Sequence, residues 1–195
     1  MSTSVYMSGR QKYGRPQAIL FANNPGTVEN GKIRPDGEEF VDFIILSDDN
    51  RDPLSFSVDR IENRKRMING RQRSYHVADK VSLSTSWKML CSRGFKTDPE
   101  FDDLGKSPLG VNQKFTSDGG AGGVELLKWY NENPGSFWVY LSYDNYDNFE
   151  DDKYDKLNQY NEVIEVFFSD FSYSVEKRGS SNHDYWNVDL KLEEV

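Results

Sequence analysis

Residues 53–87 decide the fold. Leu54-Ser55-Phe56-Ser57-Val58-Asp59-Arg60 runs outward to Met67-Ile68, Asn69-Gly70 turns the chain, and Ser74-Tyr75-His76-Val77-Ala78-Asp79-Lys80-Val81-Ser82-Leu83-Ser84-Thr85-Ser86-Trp87 brings it back. In the return arm Tyr75, Val77, Val81, Leu83, Thr85 and Trp87 occupy odd positions, while Ser74, His76, Lys80, Ser82, Ser84 and Ser86 occupy even ones. A strand sends alternate side chains to opposite faces, so the arm predicts one long strand with an apolar face and a wet face. Asn-Gly predicts a two-residue turn with positive φ at both central positions. Each arm, at about 14 residues, exceeds the 3–10 usual for a globular strand. The hairpin therefore projects beyond its sheet, and a projecting hairpin has something to touch.

The flanking sequence supplies the rest of a mainly β protein. Residues 1–16 form a polar N-terminal arm, and 17–195 are expected to fold as one domain. Gln17-Ala18-Ile19-Leu20-Phe21 predicts a short strand. Phe40-Val41-Asp42-Phe43-Ile44-Ile45-Leu46, apolar on both faces, predicts a buried central strand. Residues 91–123 carry Gly94, Pro99, Gly105, Pro108, Gly110 and Gly119-Gly120-Ala121-Gly122-Gly123, a loop long enough to be functional. Its apolar residues Phe95, Phe101, Leu104, Leu109 and Phe115 predict docking on a neighbour, with the loop ordered on assembly. Val124-Glu125-Leu126-Leu127-Lys128-Trp129-Tyr130-Asn131 predicts a helix with Val124, Leu127 and Tyr130 on its apolar face and Leu126 and Trp129 close beside it, stopped by Asn133-Pro134-Gly135. Phe137-Trp138-Val139-Tyr140-Leu141 follows as a buried strand. Residues 160–177 predict a long strand whose apolar parity changes between Phe168 and Phe171, the mark of a bulge. The turn Arg178-Gly179-Ser180-Ser181-Asn182 leads into a closing strand with Trp186, Val188, Leu190 and Leu192 on one face. The fold class is an antiparallel β-sandwich or barrel with one flanking α-helix and a long protruding hairpin.

Composition narrows the function. The chain has 195 residues, enough for a core, and its aromatic share of 14% offsets a lean apolar content of 36%. A formal net charge of −8 argues against a protein that grips nucleic acid over its whole surface. Cys91 is the only cysteine, which excludes an internal disulfide and a cysteine-based zinc site; an inert thiol is expected. No apolar run reaches the roughly 20 residues of a membrane span. Met1-Ser2-Thr3-Ser4 lacks the apolar core of a secretion signal, so a soluble chain made in a cytoplasm is expected.

Motifs for chemistry are incomplete. His76 and His183 are far apart in sequence, and a hydrolase would need one of them beside a carboxylate and a nucleophile. Asp118-Gly119-Gly120-Ala121-Gly122-Gly123 lacks the Gly-Lys-Ser/Thr of a phosphate loop; its glycines bring a helix close to a sheet, with Asp118 as a candidate cap. Asp48-Asp49-Asn50-Arg51-Asp52 lacks the sixth-place Gly and closing Glu of a calcium loop, leaving turn chemistry. No cofactor or metal is expected. Trp138, Trp186 and the tyrosines would serve a carbohydrate-binding sandwich as a stacking platform. Two charge clusters remain. Arg60, Arg64, Lys65, Arg66, Arg71 and Arg73 crowd the hairpin tip, without the interleaved aromatics that nucleic-acid binding needs. Asp144, Asp147, Glu150, Asp151, Asp152 and Asp155 form an acidic loop. Opposite patches of this kind give register to a head-to-tail assembly, the hairpin of one copy meeting the acidic loop of the next.

The chain resembles structural tail proteins of long-tailed bacteriophages, the tail tube and distal tail families. The resemblance lies in Arg66-Met67-Ile68-Asn69-Gly70-Arg71-Gln72-Arg73-Ser74-Tyr75-His76-Val77-Ala78-Asp79-Lys80, in Gly119-Gly120-Ala121-Gly122-Gly123 with its helix, in Pro134-Gly135-Ser136-Phe137-Trp138-Val139-Tyr140, and in the closing Trp186-Asn187-Val188-Asp189-Leu190-Lys191-Leu192-Glu193-Glu194-Val195. It implies a non-enzymatic virion subunit that assembles with itself into hexameric rings, stacked around a channel. DNA would meet the lumen only in transit, other tail proteins would be partners, and no membrane would be involved. The extra polar N-terminal segment leaves a tube-end adaptor, a distal tail or baseplate protein, as the alternative.

Overall fold

The computed structural model describes residues 17–29, 32–37, 41–96, 113–144, 159–179 and 183–195. In chain order these form β1 (Ile19–Ala22), β2 (Thr27–Glu29), β3 (Lys32–Arg34), β4 (Phe43–Ile45), β5 (Ser55–Arg66), β6 (Gln72–Cys91), β7 (Phe95–Lys96), β8 (Gln113–Lys114), α1 (Gly123–Glu132), β9 (Phe137–Leu141), β10 (Glu162–Arg178) and β11 (Asp184–Glu194). Seven strands make one sheet in the order β4-β1-β9-β10-β11-β6-β5, every neighbouring pair antiparallel. The fold is mainly β with a flanking helix, as the strand patterns require, and no barrel closes among the described residues.

The sheet curls over itself in the manner of a sandwich. Phe21 and Val139 from one side share a core with Leu83, Trp87 and Val188 from the other, and α1 adds Leu126 and Trp129. The alternation in β11 is realised in full: Trp186, Val188, Leu190 and Leu192 are all buried in this core. Beneath β4, β1 and β9, on the opposite face, a second core gathers Leu20, Ala22, Phe43, Ile45, Tyr140 and Tyr160, with Ile33 of the β2–β3 ribbon against it. Two cores explain why 43–46 are apolar on both faces. The strand expected to be central is an edge strand in hydrogen-bond order, buried because each face has its own cover.

The apolar face expected of α1 needs a similar correction. Its buried residues are Gly123, Leu126 and Trp129, while Val124 and Tyr130 are exposed flanks of the stripe. Gly123 opens the face because a Cβ there would lie 2.6 Å from the Trp186 ring. Asp118 does not cap the helix. Glu125 reaches back instead, its carboxylate accepting from Gly122 N at 3.0 Å and Gly94 N at 3.2 Å. Burial pushes the Glu125 carboxyl above its ordinary pKa.

Between β4 and β5 the chain crosses from one edge of the sheet to the other, and this crossing is clasped to the turn that precedes α1. Leu46 N donates to Ile19 O and Ala121 N to Ile45 O (3.0 and 2.7 Å). Trp87 Nε1 donates to Ser47 O at 2.7 Å. The Asp118 carboxylate accepts from Ser47 Oγ at 2.9 Å, Asp48 N at 2.7 Å and Gly120 N at 2.9 Å. Asp48 accepts from Ala18 N, and Asp49 accepts from Ser117 through both its amide and its hydroxyl. The acidic 48–52 run is thus loop chemistry. Asp52 N then donates to Ser86 O and Lys88 N to Asn50 O, continuing the ladder that β5 takes up.

A Cβ on Gly120 would lie 2.4 Å from Ser47 Cα, backbone against backbone. Gly120→Ala is therefore expected to destabilise the fold by about 1–3 kcal/mol, the usual cost of overpacking. Gly135→Ala, where nothing lies within 4 Å, should shift stability by no more than about 0.5 kcal/mol. Urea unfolding of the two variants checks the pair; equal midpoints would contradict the clasp.

Candidate functional site

The β5–β6 hairpin leaves the sheet. β6 pairs with β11 from Cys91 to Ser82, and the last contacts are Val81 N to Glu194 Oε2 at 2.8 Å and Lys80 Nζ to Val195 O. Beyond that, residues 60–66 and 72–79 pair with each other alone among the described residues. At about 3.4 Å per residue this free ribbon reaches about 20–25 Å past the sheet.

The turn at its end differs from the two-residue turn expected of Asn-Gly. Met67 N donates to Arg71 O at 2.8 Å and Gly70 N to Met67 O at 2.9 Å, giving a three-residue loop of Ile68, Asn69 and Gly70. Only Gly70 has positive φ, +80°. A loop of this kind needs one left-handed residue rather than two, and Asn69 serves by accepting from Arg71 N through Oδ1.

A bulge divides the ribbon. Ile61 pairs with Ala78 but Glu62 pairs with His76, so Val77 is the extra residue. Phe56 faces Leu83 and Val58 faces Val81, on the helix side of the sheet; past the bulge Tyr75 pairs with Asn63 and lies on the other side. The single apolar face read from odd positions is therefore broken at Val77. On the helix side the distal ribbon is ionic. Asp79 Oδ1 accepts from Arg60 Nε and His76 Nε2, both at 3.0 Å, and Glu62 accepts from Arg64 and Ser74.

These pairs split the six basic residues. Arg60 and Arg64 are neutralised inside their own hairpin. Lys65, Arg66, Arg71 and Arg73 make no ion pair among the described residues, and they surround a fully exposed Ile68. Of the acidic loop, Asp144 is exposed just after β9, beside Tyr143, whose ring lies 5.0 Å from that of Phe56. The acidic run thus starts at the end of the sheet from which the basic ribbon departs. Asp147, Glu150, Asp151, Asp152 and Asp155 lie outside the described residues.

Of the residues expected to dock a loop on a neighbour, Phe101, Leu104 and Leu109 also lie outside the described residues, as does the arm 1–16. Phe95 lies in β7. Phe115 packs within its own chain: its ring lies 4.7 Å from that of His183, and its carbonyl accepts from Cys91 Sγ at 3.3 Å. Burial raises the Cys91 thiol pKa, which disfavours the thiolate. His183 and His76 stand at opposite ends of the sheet, since β11 begins beside Cys91 while His76 is in the free ribbon. Trp186 is covered by Tyr173, stacked at 4.9 Å, and is not an open platform.

Two surfaces were not foreseen. The outward faces of β5, β6, β11 and β10 form a largely polar wall whose rows read Ser57-Ser82-Glu193-Phe167 and Ser55-Ser84-Lys191-Asp170. Both sides of this four-stranded unit carry open edges. Among the described residues β5 has no outer partner, and β9 leaves β10 at Val166, so residues 167–178 are unpaired on that side. The serine repeat in β6 signalled the wall; the open edge of β10 depends on strand order, which no local pattern carries. Comparison with protein-family models and with curated proteins gives no match.

Hydrogen bonds from Arg60 and then His76 hold the Asp79 carboxyl below its ordinary pKa of 3.8. Asp79 binds its proton less readily in the folded ribbon than in the unfolded chain. Its contribution is complete above the ordinary value and is lost as pH falls through the lowered one. Amide exchange between about pH 2 and 5 should show the ribbon losing protection before the core, and Asp79→Asn should flatten that dependence. An unchanged profile in the variant would sink this account.

Proposed function

We propose that this chain is a structural, non-enzymatic subunit that assembles with copies of itself into stacked rings, in the manner of a phage tail tube. The observation that carries the reading is the β5–β6 ribbon. Among the described residues it is a long extension with no sheet neighbour, no cover and four basic side chains free of ion pairs. A two-stranded ribbon in water is marginally stable alone and gains by lying against something. The polar wall supports the same reading. Serines alternating with Asp59, Asp170, Asp189 and Glu193 against Lys80 and Lys191 present small hydroxyls and a negative excess. A wall of that sign lets a polyanion slide without adhering. The basic ribbon tip lies beyond the wall, where its charges are available to a neighbouring copy.

The concentration dependence of mass, with negative-stain images, tests the reading. Rings or tubes that grow with concentration are the expected result. A stable monomer at every concentration would overturn self-assembly and leave the tube-end adaptor, which needs other partners. Arg66→Glu with Arg73→Glu should block assembly while the circular dichroism of the monomer stays unchanged. A double variant that assembles as the wild type does would remove the charge contribution of the tip.

A further inference from the structure

We propose that Asn69 at the ribbon tip is a site of spontaneous main-chain modification, a deamidation promoted by the charges that surround the turn. Asn69 and Gly70 are exposed at the far end of the free ribbon, and a Cβ on Gly70 would meet nothing within 4 Å. The nucleophile is the Gly70 amide nitrogen and the electrophile is Asn69 Cγ, which a five-membered ring can join. Glycine carries no side chain to obstruct that closure.

The turn prepares the electrophile. Asn69 Oδ1 accepts from Arg71 N at 3.1 Å, which folds the side chain back over the Gly70 peptide. Negative charge builds on that same oxygen when Cγ becomes tetrahedral, and the Arg71 N–H is already aimed at it. Lys65, Arg66, Arg71 and Arg73 add a positive field, since none of them makes an ion pair among the described residues. Nearby cations favour the deprotonated form of the Gly70 amide as they favour any adjacent anion.

The turn also guards the nucleophile, because Gly70 N donates to Met67 O at 2.9 Å. That bond has to open first, and the register of the ribbon loosens it. Lys65 stands directly opposite Arg73, and like charges facing across a ladder destabilise it. The ion pairs that tie the ribbon, Arg64 with Glu62 and Arg60 with Asp79, lie farther back along the arms. A two-stranded end with no sheet neighbour opens more readily than the core. The same cations thus release the nitrogen, acidify it and stabilise the oxyanion.

The atoms balance with water alone. The released Gly70 N–H gives its proton to solvent base as the nitrogen bonds to Cγ. The Cγ–Nδ2 bond then breaks, and ammonia leaves with a proton taken from water, giving a cyclic imide. A second water opens the ring. Attack at Cγ restores the ordinary main chain with an aspartyl side chain. Attack at the main-chain carbonyl of residue 69 leaves the chain running through Cγ, one atom longer, as an isoaspartyl link. Nothing is oxidised or reduced. Either product sets a carboxylate among four unpaired cations, and the second also stretches a three-residue loop. The tip loses positive charge with age, in one direction.

Full-length protein held folded at mildly alkaline pH tests the site, read by peptide mass spectrometry and by isoaspartyl methyltransferase labelling. Asn30-Gly31, the other Asn-Gly pair, lies outside the described residues and serves as an internal reference. The tip peptide should gain the mass increment of amide to acid and take up the label. Lys65→Glu, which sets a carboxylate opposite Arg73 and removes one cation, should slow conversion at position 69 by roughly threefold or more and leave position 30 unchanged. Arg73→Glu is the mirror variant and should act alike. A tip that keeps its amide after a urea-unfolded sample has converted would overturn the site. Charge variants that convert at the wild-type rate, or slow both pairs equally, would overturn the part assigned to the cations.

Discussion

The Asp118 carboxylate holds together two segments that share one β-bridge, between Leu46 and Ala121, and no longer strand pairing among the described residues. Its oxygens take the Ser47 hydroxyl, the Asp48 amide and the Gly120 amide, and so fix the crossing of 46–52 against the turn before α1. That crossing joins the two edges of the sheet. Its placement brings Ser47 O to Trp87 Nε1 and Asp52 N to Ser86 O, where the chain enters β5. Trp87 Nε1 is a buried donor, and leaving it without its acceptor would cost about 1–3 kcal/mol.

Local patterns made much of this legible. Strict alternation in 186–192 announced a strand with one face buried, and the parity change after Phe168 announced a bulge; the register shift between Phe168 and Asp170 is that bulge. The helix, β9 and the length of the hairpin followed from composition and period in the same way. What could not be read locally was the consequence of pairing. The bulge at Val77 leaves only a small mark in the sequence, Ala78 and Asp79 reversing the alternation beside it, yet it moves Tyr75 to the opposite face from Val81. The 43–46 segment looked central because apolar residues on both faces usually mean a strand flanked by neighbours. Here two separate cores give the same signature to an edge.

The candidate surface was half legible for a related reason. Basic residues at the ribbon tip are visible as letters, but which of them are neutralised is a matter of register. Asp79 takes Arg60 because the ladder sets them opposite each other, and Glu62 takes Arg64 two residues along the same strand. The serines of β6 were read as a wet face, and the pairing with β11 and β5 extends that face into a wall. The exposed apolar pairs Phe56 and Val58 on β5, and Tyr173 and Val175 on β10, belong to strands that are not neighbours among the described residues. Only the order of strands in the sheet shows that they flank the same four-stranded unit.

The ribbon also limits how such a protein can change. Its faces differ, one ionic and one bearing Ile61 and Tyr75, so adding a single residue to each arm would exchange them beyond the insertion. Adding two to each arm would preserve them and extend the reach by about 7 Å. A single residue added to one arm alone must be absorbed by a bulge, as Val77 is. Reach in this architecture is therefore quantised: relatives with longer or shorter ribbons would differ by even steps, and an odd step would carry a new bulge as its scar.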